Sequence, residues 1–189
     1  MKHTYHRELI PRDEVLRLIG AINTMRTTFT DKAEQWQLLD RSGRVPAALS
    51  FTELFQHVTG AQELSHGVLR LTADFAARPY IANRAGRDTL AHLSRASTLS
   101  VQVAPHFAET AKTVLDLRRT SSPKDQQYVR NDMVTSHATA RGYLRRTSES
   151  LRDATQALHE HLDLHRFFSS PALSDRPVPP PPGPKGHHR

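Results

Sequence analysis

Apolar side chains recur at spacings of three, four and seven from the N-terminal region to Phe168, and no stretch sustains the alternation of a β-strand. The pattern predicts a first helix from just after Pro11 to about Asp40, with Val15, Ile22, Phe29 and Trp36 seven apart and Leu18, Met25 and Leu39 three positions on. The run Arg41-Ser-Gly-Arg-Val-Pro46 then breaks it. A second helix opens at Ser50-Phe-Thr-Glu53, a capping-box sequence, and carries Leu54, His57, Ala61, Leu64, Val68, Leu71 and Phe75 inward. The third runs from about Arg84 to Thr120 through Leu93, Ala96, Val103, Phe107, Val114 and Leu117. Pro105 lies inside it, where a missing amide and a steric clash with the preceding turn predict a kink or break. The fourth starts at Ser122-Pro123, an N-cap followed by proline, and continues through Leu144, Leu151 and Leu158 to Phe168. Unbroken it would reach about 70 Å, and Gly142 is the place for a bend.

These elements predict an all-α fold: an antiparallel bundle of four long helices in residues 1–168, or five or six if the rods break at Pro105 and Gly142. Burying each stripe leucine contributes about 1.5–3 kcal/mol, so no cofactor is needed to hold the bundle together. From Ser169 the composition changes, and Pro179 to Pro182 head a proline-rich segment that is expected to be a disordered C-terminal tail over 169–189.

Composition narrows the chemistry. The chain has no cysteine, which removes disulfides, thiolate metal sites and a cysteine nucleophile, and fits a cytoplasmic setting. No apolar run is long enough to span a membrane, and Met1–Glu14 lacks the apolar core of a signal peptide. The net charge of +7 makes a nucleic-acid partner possible. Its distribution is diffuse, however, with nothing denser than the pairs Arg118-Arg119 and Arg145-Arg146, so a solvated mixed-charge surface is the stronger reading, and the expected partner is another protein or a second copy of the chain. Eight scattered glycines form no phosphate loop, and neither G-x-S-x-G nor H-E-x-x-H occurs.

Three polar residues fall on inward positions: His57 on the second stripe, and Arg130 and His137, seven apart, on the fourth. In an up-down-up-down bundle the second and fourth helices start at one end, which would bring His57 and Arg130 to similar depth, with Glu53 a turn above. Glu53, His57, Arg130 and His137 are therefore the candidate ligand-binding residues; no catalytic residue and no metal ligand is assigned. Arg130 and His137 also fit the R-x4-6-H pattern of HEPN ribonucleases, as do Arg87–His92 and Arg152–His159, the number expected by chance. His161–His165 and Asp88–His92 have i,i+4 spacing, and Glu63-x-x-His66 echoes half of a di-iron motif whose second copy is missing.

The run Leu49-Ser-Phe-Thr-Glu53-Leu-Phe-Gln-His57 resembles the second helix of the DinB/YfiT-like family, four-helix bundles that are often metal-dependent. The family pattern there is Trp-Ser-x-x-Glu-Leu-x-x-His, with Leu49 here in the place of the Trp. Further on, Arg141-Gly142-Tyr143-Leu144 stands where the family has His-x-x-x-His-Arg-Gly-x-Leu. Ser136 and Ala140 occupy the two ligand positions, and His137 is one residue out of register. The resemblance implies a divergent bundle that binds a ligand or metal around His57. The main expectation from the residues is a non-catalytic bundle acting through protein or ligand contacts, with the DinB-like and the HEPN-like RNA-directed readings as alternatives.

Overall fold

A computed structural model describes residues 9–40 and 42–169, with side chains to Leu164. Helix α1 spans Arg12–Gln35, α2 Phe51–Ala76, α3 Arg84–Ser100, α4 Val103–Arg119 and α5 Pro123–Ser169, with a short 3₁₀ turn at Pro79–Ala82. The tail expected over 169–189 lies outside the described residues, apart from Ser169, which closes α5. No described helix is long and apolar enough to cross a membrane.

Each helix end has a local cause. α1 begins after Pro11 with Asp13 and Glu14 in its first turn, where carboxylates oppose the positive end of the helix dipole. It stops at Gln35, a turn short of the expected Asp40, because Asp40 is engaged in a turn of its own. The Asp40 carboxylate accepts from the Ser42 amide at 2.8 Å, the Ser42 hydroxyl at 2.6 Å and the Arg44 amide at 3.1 Å. Gly43 takes a φ of +76°, in the left-handed region open to glycine. Unwinding there lets Leu38 turn into a small apolar cluster with Leu54, Ala111, Val114 and Met133. Ser50 caps α2, its hydroxyl accepting from the Glu53 amide at 3.3 Å. α3 is capped by Asn83, whose side chain accepts from Gly86 N–H at 2.7 Å.

The expected third rod is broken in two at Val101-Gln102. Pro105 has no N–H to give the Val101 carbonyl four residues back, so the helix loses its bond at that point and restarts as α4. Gly142, by contrast, interrupts nothing, and α5 runs continuously for 47 residues.

The rods pack as a square. α5 lies against α1 on one side and against α3 and α4 on the other, and α2 covers the remaining face of α3 and α4. α1 and α2 barely touch, so one seam stays open. Inside, Leu144, Leu151 and Leu158 are fully buried together with Val15, Ile22, Phe29, Val68, Phe75, Leu93 and Phe107. The seven-residue repeat of α5 is the dry center of the bundle.

Candidate functional site

The open seam passes over a cluster of four rings from four elements. Trp36, just past the end of α1, stacks on His57 of α2, their centroids 5.0 Å apart and planes 18° from parallel. Phe107 of α4 meets Trp36, His57 and His137 of α5 edge-on at 5.3, 5.5 and 5.2 Å. The two imidazoles lie 6.2 Å apart. His137 is only 3% exposed and His57 half-buried. His57 Nδ1 and His137 Nε2 are both buried with no hydrogen-bond partner within the protein.

Burial depresses both basicities, because an apolar surround disfavors the charged ring. For His57 the ammonium of Lys32 adds to the effect. For His137 the pKa falls to about 4 through burial, with further contributions from His57 and Arg141. Both rings are therefore neutral at pH 7, each offering one donor and one acceptor. Arg141 is held beside them, its Nε donating to the Ala33 carbonyl at 2.7 Å, which ties α5 to the last turn of α1.

Outside the ring cluster, the α1–α2 seam widens into a groove of about 560 Å³. Met25, Thr28, Lys32 and Trp36 form one wall; Gln56, His57, Gly60, Glu63 and Leu64 form the other. Two glycines permit this shape. A Cβ on Gly60 would sit 2.9 Å from the Trp36 ring, and one on Gly67 would sit 2.8 Å from Met25 Cε. Lys32 arches over Trp36, its ammonium 5.6 Å from the ring centroid, a cation–π arrangement.

Of the four expected residues, the structure brings two together. His57 and His137 meet in the ring cluster. Glu53 is exposed in the first turn of α2, with its amide on the cap. Arg130 is exposed, so the expectation that it faces the same way as His137 fails. A straight helix drifts about 20° over seven residues. The inward line of α5 here is Met133, His137, Ala140 and Leu144, which leaves Arg130 in solvent. The Arg–His pairs of the R-x4-6-H pattern do not meet as buried pairs: Arg87, Arg152 and His159 are also exposed.

His161 has a structural task, since its Nε2 accepts the Ile10 amide at 3.0 Å and fastens the lead-in to α1 onto α5. The side chain of His165, its expected companion, lies outside the described residues. Glu63, His66 and Asp88 are exposed and His92 is half-buried. Among the described residues no group of three or more His, Asp or Glu side chains is placed to hold a metal ion. A second hollow, of about 840 Å³ around Leu9, Asn83, Arg87 and His161, lies at the opposite end of the bundle.

Sequence reasoning missed Lys32, Phe107 and Arg141 as members of the site, and placed Trp36 only as a core residue. The heptad spacing marked Trp36 and Phe107 as apolar positions but carried nothing to show that they would flank two histidines. Comparison with protein-family models, with curated proteins and with solved structures finds no match to this chain.

Proposed function

We propose that this protein is a non-catalytic helical bundle that works by binding, with the α1–α2 groove and the His57–His137 pair behind it as its receptor face. The observation that carries this reading is the pair of unpartnered imidazole nitrogens. A buried polar atom without a partner costs about 1–3 kcal/mol, so a hydrogen-bonding group that reached both would recover that cost. The groove supplies the apolar and aromatic surface, and the rings supply orientation. A general base works best with a pKa near the working pH, whereas His137 sits at about 4, which suits hydrogen bonding better than proton transfer.

The DinB-like alternative is favored by one observation, that His57, at the family's ligand position, has a buried ring nitrogen with no hydrogen-bond partner. Its ligand-binding form fits the same groove. Burial of His137 while Arg130 stays in solvent speaks against the ribonuclease-like reading, in which both act on one phosphodiester. On the binding reading, the partner is a small molecule or a protein segment met in the cytoplasm, and the dispersed basic charge serves solubility.

The test is a screen of small planar fragments by NMR. Fragments that occupy the groove should move the Trp36 indole N–H and the ring signals of His57 and His137 together, and should lose affinity at least tenfold in His57→Ala. If the folded chain shows no fragment moving those three rings, or binds the same fragments unchanged in His57→Ala, this reading is overturned.

A further inference from the structure

We infer that the groove is the docking site for the chain's own polyproline run, Pro179–Pro182. This names an occupant for the proposed receptor face and rests on that reading.

Distances along the bundle set the reach. α1 and α5 are antiparallel, and their register is fixed by Thr30 against Ser148, hydroxyls 2.8 Å apart, and by Ala33 against Arg141. The groove spans Met25 to Trp36 on α1 and so extends past both markers, level with roughly residues 139–150 of α5. Measured from that stretch to Ser169 at the rise of an α-helix, the groove is about 29–45 Å back from the end of α5. A sideways step of about 10 Å across α1 lengthens the path only slightly. Beyond Ser169, the chain needed to reach Pro179 and Pro182 is about 31–40 Å long in polyproline II geometry. A tail folded back along the bundle therefore delivers its proline run to the groove.

The chemistry of the two surfaces agrees. A proline run has no N–H, so it presents only carbonyl acceptors and apolar rings. The groove supplies hydrogen-bond donors in the Lys32 ammonium, the Gln56 amide and the Trp36 indole, set among Met25 and Leu64. Aromatic-lined grooves take such segments because polyproline II is extended before it binds and loses little entropy.

The absence of cysteine makes the test direct. A nitroxide attached to Gly183→Cys in the otherwise complete chain should broaden the Trp36 indole N–H signal more than fivefold relative to the reduced label. Replacing Pro179, Pro180, Pro181 and Pro182 with glycine in the same labeled chain should restore most of that signal. An unbroadened Trp36 overturns the proposal. So does broadening that survives the glycine replacements, or that appears equally when a labeled chain is mixed with an isotope-enriched unlabeled one, since the contact would then be between copies. Where Trp36 is unbroadened and fragments still move His57 and His137, only the tail assignment fails and the receptor face stands.

Discussion

At the scale of single residues, the buried imidazoles make stability depend on pH. Both folded-state pKa values lie below the ordinary histidine value, so the folded chain binds fewer protons than the unfolded chain as pH falls through 6.5. Stability is therefore complete above about pH 6.5 and is lost as pH drops toward the folded pKa of about 4. The His137 shift corresponds to a loss of up to about 3 kcal/mol. Urea midpoints at pH 7, 5.5 and 4.5 should fall accordingly, and the fall should shrink in His137→Phe. The carboxylates Glu14 and Asp40, whose own pKa values are lowered, stabilize the fold at neutral pH and lose that contribution only as pH falls below the ordinary carboxylate range. At pH 7, His137→Phe should leave stability unchanged or raise it by about 1 kcal/mol, because it removes an unpaired buried nitrogen. A clear drop in urea unfolding stability instead would mean that the ring has a partner within the folded chain.

Helix boundaries belong to the element scale. Ser50 was legible as a cap because a side-chain acceptor ahead of an apolar stripe has one favorable use, and Asn83 plays the same part ahead of α3. Replacing Ser50 with Ala should lower stability by about 1 kcal/mol, read as a shift in denaturant midpoint. Gly86 was not legible. An added Cβ would lie 1.9 Å from the Tyr80 carbonyl oxygen, a backbone atom that cannot swing aside. Gly86→Ala should thus cost about 1–3 kcal/mol, whereas Gly142→Ala meets open space and should stabilize α5 by about 0.5–1 kcal/mol. Thermal unfolding of the two variants should move in opposite directions. The proline at 105 acted at a distance of one turn: it broke the rod at the carbonyl it could not serve, not at its own position.

For the molecule as a whole, four rods enclose one main core, and the three leucines of α5 are its axis. Leu151→Ala should cost about 2–5 kcal/mol, because the cavity it leaves is ringed by packed neighbors. Tyr128, 64% exposed, should change stability by less than about 0.5 kcal/mol when replaced by Ala. Chemical denaturation of both variants checks the contrast. The sparse α1–α2 seam is also a whole-molecule property: three sides of the square are closed by long packed faces, and the fourth is bridged mainly by Trp36 over Gly60 and Met25 over Gly67.

Although it left open whether Pro105 kinks or breaks its rod, the periodic placement of Val, Ile, Leu and Phe was enough by itself to determine that the chain is helical, that it forms a bundle, and that Leu144, Leu151 and Leu158 go dry. Those outcomes depend on local geometry and on burying apolar area, both of which repeat along the chain. What tertiary structure alone decided was which polar residues meet. His57 and His137 came together while Arg130 stayed in solvent, and Trp36, Phe107, Lys32 and Arg141 joined them from other elements. Such meetings depend on the rotation and register of one rod against another, set by side-chain packing across the whole cross-section rather than by spacing within any one helix.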